Sequence, residues 1–291
     1  MMTRIALIFA LLLNASLSSA QSSLVSTEWF AEHANDDKII LIDMSDNLQY
    51  LRFHLPGAIN LPYGFLVQDK NKVSLSVDKT QLIKLLGQIG ISQDSYVIVY
   101  DDIGGKNAAR LLWELDQLDH PKSAMLDGGL VKWIREGRPI SAEAPKLYPT
   151  TYHAKAQTNA ATATIKDVAP ASRDPKTVLI DVRSDEEYLG NPKYPRSGHI
   201  PGAKWWEWDQ AISLEKGFTF RSDAELMNEL NAIGLKDKDQ PVVLYCRSGH
   251  RATHSYYTLR HLGFKNVRVY DASMKEYEQK KDLPVQKGKQ P

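Results

Sequence analysis

The sequence predicts an α/β protein of two tandem domains, each a mainly parallel β-sheet flanked by helices on both faces. One observation is that the chain is written twice. "IILIDMSDNLQY" (Ile39 to Tyr50) matches "TVLIDVRSDEEY" (Thr177 to Tyr188), and "HLPGAINLP" from His54 matches "HIPGAKWW" from His199. "IGISQDSYVIVYD" from Ile89 matches "IGLKDKDQPVVLYC" from Ile233, and "MLDGGLVKW" from Met125 matches "VYDASMKEY" from Val269. A single insertion around "GNPKYPR" (Gly190 to Arg196) keeps the copies in register. A second observation lies inside each copy, where short β-branched runs such as "VIVY" and "VVLY" alternate with helical patterns such as "AARLLWELDQL" and "ATHSYYTLRHLG". That alternation is the mark of βαβ units and a parallel sheet. The third is length: 291 residues suit two domains of about 100 to 200 residues each.

Taken in order, the chain opens "MMTRIALIFALLLNASLSSA", with Arg4 its only charged side chain and an apolar run from Ile5 to Leu13. This pattern predicts a secretory signal peptide over 1–20, so the mature protein is expected to be exported, periplasmic if bacterial and otherwise secreted. The run is too short for a membrane span of about 20 residues, and Gln21 rather than a lipidated cysteine follows the leader. Residues 21–140 form the expected first domain. Residues 141–163, rich in Pro, Ala and Thr without an apolar period, read as a linker. Residues 164–291 form the second domain, where Gly263 is the expected stop of the helix that follows "VVLYC".

Charge narrows the function. With 36 basic against 35 acidic residues, and Arg4 lost with the leader, the mature chain is balanced, which argues against a nucleic-acid or membrane-surface partner. One cysteine, Cys246, forms no internal disulfide. A lone thiol in an oxidising compartment is either buried or useful.

Its surroundings, "YCRSGHRA", favour use. After the strand "VVLY", residues Arg247, Ser248, Gly249, His250 and Arg251 must curl before a helix starts near Ala252, which is expected to aim backbone N–H groups at the sulfur. An anion there sits at a helix N-terminus. Because an ordinary thiol is only about 3% thiolate at pH 7, such donors and a nearby arginine matter. The rival reading is a cysteine phosphatase or arsenate reductase, which also seats a thiolate in an anion-binding loop. In the phosphatase signature five residues separate cysteine and arginine, whereas only Arg247 to His250 stand between Cys246 and Arg251.

These motifs resemble the tandem-domain rhodaneses, the family of thiosulfate and 3-mercaptopyruvate sulfurtransferases, over nearly all of the mature chain. "DVRSDEEY" with "SGHIPGA", "VVLYCRSGHRA" and "VYDASMKEY" carry the resemblance. The chain departs from the family's last signature, which has Gly-Ser-Trp where Ala272-Ser273-Met274 stands. The resemblance implies that Cys246 takes a sulfane sulfur as a persulfide and a thiophilic acceptor such as cyanide removes it, with no cofactor and no metal. It also implies that Arg247 and Arg183 hold the anionic donor; Ser248, Gly249 and His250 complete the expected binding loop, and Arg251, which has no exact match in the family, is expected to serve the same field. Relatives using mercaptopyruvate have glycine after the cysteine, so Arg247 favours thiosulfate. Small-molecule donor and acceptor are the expected partners, with a dithiol protein acceptor or a persulfide-carrier role as alternatives.

Other residues carry competing readings. Arg183 has Asp185 and Glu186 as nearby ion-pair partners, and Arg247 and Arg251 compete with ordinary surface charges. His250 and His254 are four apart, a spacing for two metal ligands, yet no third ligand accompanies them, so a structural role is favoured. Trp205, Trp206 and Trp208 either line an acceptor site or pack in a core, and packing is favoured. Asp181 and Asp271 recur as Asp43 and Asp127 in the copy without a thiol, which points to structure. Asp101 stands at the nucleophile's place in the first copy, so that domain is expected to be catalytically silent and to wall the cleft.

Overall fold

A computed structural model describes residues 23–170 and 173–291. The leader assignment over 1–20 lies outside the described residues. Each copy builds a five-stranded parallel sheet with one strand order. In the first, Leu24–Val25, Ser123–Leu126, Tyr96–Tyr100, Ile39–Asp43 and Ile59–Asn60 lie side by side in that sequence. In the second, the order is Thr162–Ala163, Val267–Tyr270, Val242–Tyr245, Val178–Asp181 and Lys204–Trp205. The central strands are buried along their whole length, which is why "YVIVY" and "VVLY" run apolar without alternation. Full burial of each such side chain stabilises by about 1.5–3 kcal/mol.

Helices cover both faces of each sheet, and two of them join the domains. Ala108–Gln117 and His250–His261 each follow the central strand of their own sheet and pack against one another. Of the first, every residue but Asp116 is buried, and most of the second is buried, as expected of helices with a sheet on one side and a partner domain on the other. Gly263, at φ +90°, terminates the second one turn past Leu259.

Of the expected linker 141–163, the part through Thr158 lies against the first domain, while Ala161 accepts the Val269 N–H and 162–163 form an edge strand of the second sheet. Thr150 donates its N–H to the Gly87 carbonyl at 2.8 Å, and Tyr152 is buried against His120. A Cβ on Gly87 would sit 2.5 Å from the Thr150 carbonyl oxygen, so this approach requires glycine. Ser141 pairs its backbone with His54, and Gln286 pairs with His199 in the corresponding place of the second domain. Both histidines stack on a tyrosine, Tyr50 and Tyr188, and bond its carbonyl at 2.8 Å.

Across the interface the copies clasp each other reciprocally. The Ser76 N–H donates to Asp271 at 2.8 Å, and the Phe220 N–H donates to Asp127 at 2.7 Å. Asp127 follows the strand Ser123–Leu126 and Asp271 the strand Val267–Tyr270, and each donor belongs to a two-stranded antiparallel ribbon of the other copy. Of the four aspartates read as structural, Asp127 and Asp271 therefore hold the domains together.

Candidate active site

Cys246 leaves the carboxyl end of the central strand Val242–Tyr245, the usual place for a site in an open parallel sheet. It is 1% exposed. Gly249 then turns left-handed at φ +78°, and the helix begins at His250, two residues earlier than the apolar pattern suggested. Only glycine fits this turn, because a Cβ would meet the Asp271 carboxylate at 2.2 Å.

Beneath the loop sits Ser273. Its Oγ accepts the N–H groups of Cys246 and Gly249, each at 3.1 Å, and donates to the Tyr270 carbonyl at 2.7 Å. Met274 and Lys275 donate their N–H groups to the carbonyls of Cys246 and Arg247. Thus the last signature, with its Ala-Ser-Met departure, is the floor of the cysteine loop. This changes the expected cradle: the Gly249 N–H is taken by Ser273. Those of Ser248, His250, Arg251 and Ala252 have no protein acceptor among the described residues.

The arginines divide into two kinds. Arg183 is buried, and Nε and Nη2 bind Asp181, with Nη2 also donating to the Gly198 carbonyl at 2.7 Å. Asp181, not Asp185 or Glu186, is its partner, because the guanidinium folds back over the strand end that carries both residues. Burial works against its charge, and the Asp181 carboxylate outweighs that, holding the proton more firmly than usual. Arg247 is half exposed and reaches Glu278 at 2.5 Å. Both arginines line a cavity of about 380 Å³ with Glu186, Glu187 and Glu278.

Arg251 meets Glu187 through two bonds, at 2.6 and 3.0 Å. Burial would raise the Glu187 carboxyl, but the Arg251 hydrogen bond and the Arg251 and Arg183 charges override it and hold it below the ordinary range. For Arg251, Glu187 and the nearby Cys246 sulfur outweigh burial and favour the charged form.

The other wall belongs to the first domain. Tyr63 stacks on His250 with ring centres 3.9 Å apart. Burial, joined by the charges of Asp271 and Cys246 against that of Arg110, pushes the Tyr63 hydroxyl up to about 12. His250 Nε2 lies 2.7 Å from Asn107 Oδ1. Burial, with Lys106, Arg110 and Arg251 nearby, drives His250 down to about 3. Behind it, His254 is buried with Nε2 on the Gly104 carbonyl and Nδ1 unpartnered; burial takes it down to about 4. Both imidazoles are therefore neutral near pH 7.

Arg110, which the sequence reading passed over, crosses the interface to Asp271 at 2.6 Å and also pairs with Glu114. Burial disfavours its charge, and the two carboxylates more than restore it. Its signal was an Arg and a Glu four apart inside an otherwise apolar helix. Tyr63 and Asn107 had no comparable signal. Of the tryptophans, Trp206 lies in the second core and Trp205 donates to the Arg183 carbonyl at 2.9 Å. Trp208 reaches across to lie under Lys106 and meets His254 edge-on. Tyr63 and Trp208 open corresponding short 3-10 turns, so each domain lays an aromatic ring on the other's loop.

The arrangement offers one thiol at the head of a loop, four backbone N–H groups of that loop without a protein acceptor among the described residues, and three arginines each paired with a carboxylate. The Rhodanese-like domain family matches residues 26–136 and 164–280. The sulfur carrier protein TtuD of Thermus thermophilus is 33% identical over 281 residues, covering 92% of this chain and 97% of its own. A Mycobacterium tuberculosis protein provisionally named a thiosulfate sulfurtransferase is 36% identical over 279 residues, covering 91% and 98%. Among solved structures, the 3-mercaptopyruvate sulfotransferase SseA of Escherichia coli superposes with a TM-score of 0.76 at 26% identity, over 87% of this chain and 98% of its own.

Proposed function

The chain belongs to the rhodanese family and is a sulfurtransferase, and from that premise we propose that it carries sulfane sulfur from thiosulfate to a thiophilic acceptor such as cyanide. The Cys246 thiolate attacks the outer sulfur of thiosulfate, the S–S bond breaks, and sulfite leaves with the bonding pair. Cyanide then attacks the outer sulfur of the persulfide, thiocyanate departs, and the thiolate returns. The free N–H groups of Ser248, His250, Arg251 and Ala252 stabilise the sulfur anion at both stages. Arg247 and the unbonded Nη1 of Arg183 hold the sulfonate end of the donor.

The observation that carries this reading is the lone thiol at the strand end, in a loop where the N–H groups of Ser248, His250, Arg251 and Ala252 have no protein acceptor among the described residues. Steady-state rates of thiocyanate formation with thiosulfate and with 3-mercaptopyruvate test the donor. A higher kcat/KM for thiosulfate is expected, and the reverse order gives the site to mercaptopyruvate.

A carrier role is favoured by one observation: Arg183, Arg247 and Arg251 already have carboxylate partners, and three glutamates share the cavity. A dithiol protein then replaces cyanide as acceptor. Mass spectrometry after thiosulfate separates the two, since a carrier retains one added sulfur in the presence of cyanide. The leader "MMTRIALIFALLLNASLSSA" supports export to the periplasm or outside the cell, with no membrane attachment after cleavage. N-terminal sequencing of the mature protein, with Gln21 expected first, tests it.

A further inference from the structure

The thiol-less loop of the first domain is more ordered than a vestige needs to be. The Asp101 carboxylate accepts four backbone N–H groups, from Ile103 at 2.9 Å, Gly105 at 2.7 Å, Asn107 at 2.7 Å and Ala108 at 3.0 Å. Burial raises this carboxyl, and the four donors draw it partway back. One of the bonded residues, Asn107, turns its side chain toward the other domain. Its Nδ2 donates to the Met44 carbonyl at 3.0 Å, which fixes the amide so that Oδ1 is the free acceptor. The partner of that oxygen is His250 Nε2, which therefore carries the ring proton. Tyr63 stacks on one face of the imidazole.

His250 lies between the nucleophile and Arg251, and its own N–H is one of the free donors. Its side chain is anchored by nothing from its own loop. We propose that the first domain's loop is a positioning device for the active one: Asp101 stiffens it, and Asn107 with Tyr63 holds His250 in one orientation, so that the backbone from Cys246 to Arg251 keeps its sulfur-binding shape. Asn107, Tyr63 and His250 are positioning residues, acting on the sulfur through the loop. The inference rests on the sulfurtransferase reading for its purpose, and its geometry stands without it.

The test follows the rate of Cys246 alkylation by iodoacetamide and the single-turnover rate of persulfide formation from thiosulfate, at fixed pH. Asn107→Ala is expected to slow both by roughly tenfold or more, since small misplacements of a reacting group cost up to about a hundredfold. His250→Ala breaks the same bond from the other side, carries the same expectation, and serves if Asn107→Ala does not fold. His250→Gln keeps a neutral N–H donor for Asn107 and should recover most of the rate. The double variant Asn107→Ala/His250→Ala should lose no more than either alone. Rates within twofold of the parent in the folded single variants, additive losses in the double variant, or no recovery with glutamine would overturn the proposal. Because alkylation needs no sulfur donor, a parent protein that never gains a sulfur on Cys246 would sink the sulfurtransferase reading separately.

Discussion

The loop from Asp101 to Ala108 and the loop from Cys246 to Ala252 occupy the same place in two copies of one fold, and they treat the same backbone donors differently. In the first, a carboxylate fills the cradle and four N–H groups bind it. In the second, which is one residue shorter, a sulfur stands at the head of the loop and the N–H groups of Ser248, His250, Arg251 and Ala252 are left over. Beneath each, the chain passes through a left-handed residue, Gly129 at φ +48° and Ser273 at φ +50°. Leu130 and Met274, next in line, donate to the carbonyls of Asp101 and Cys246 at 3.0 and 3.1 Å. The difference teaches that the turn is a property of the fold, and that the residue at its head decides whether its donors are taken, as at Asp101, or left to spare, as at Cys246.

The sharpest way to break this comparison is to exchange the head groups. Cys246→Ser should abolish thiocyanate formation while leaving the circular dichroism spectrum and thermal midpoint in place. Adding Asp101→Cys to that variant should not restore transfer, because the first domain's loop is longer and has no arginine next to its head. Recovered turnover would show that the copies differ only in one atom group.

Next in size is the interface that both loops share. Arg110→Ala leaves Asp271 and Glu114 as buried carboxylates without their cation and should cost about 3–5 kcal/mol in urea denaturation. A loss under about 1 kcal/mol would mean that the two copies do not depend on this pair.

His254 stands in the second domain where Arg110 stands in the first, and it makes stability depend on pH. Its folded value, about 4, lies below the ordinary 6.5, so the unfolded chain binds more protons between them. The stability it contributes is therefore complete above about pH 6.5 and is lost as the pH falls through 4, by roughly 3 kcal/mol. His250, at about 3, acts in the same direction and extends the loss to lower pH. Urea midpoints measured from pH 7 to 4 should fall steeply for the parent and less for a folded His254→Gln variant; parallel curves would contradict this.

The smallest expected effect is at Ser273. Ser273→Ala removes the acceptor of two loop N–H groups and should destabilise by about 1–3 kcal/mol. Activity should fall more than stability suggests, because the Gly249 turn loses its tether. Full turnover in this variant would place the loop's rigidity elsewhere.

Much of this was legible in the sequence, for physical reasons. Buried parallel strands are apolar without alternation, so "VIVY" and "VVLY" announced both sheet centres, and Gly263 ended its helix because it tolerates a left-handed turn. The repeat also supplied a control for Cys246, Asp101, and the two residues do follow the central strands of their own sheets. Contacts across the interface were not, since local periodicity says which face of a helix is covered and not by what. Asn107 and Tyr63 look like ordinary loop residues until the second domain is in place. Arg183 was misleading at short range: Asp185 and Glu186 lie in the first turn of the next helix, where acidic residues are favoured, and the arginine turns to Asp181 instead.

The floor of the active loop has a consequence for how the chain is made. Ser273 follows Cys246 by 27 residues and belongs to the last short helix. A growing chain that has just released Cys246 therefore has the strand and the thiol but nothing to hold the Cys246 and Gly249 amides apart from the sulfur. The turn gains its floor only once the chain through Ser273 has been synthesised. Until then the Cys246 loop has no floor, and the floor arrives with Ser273.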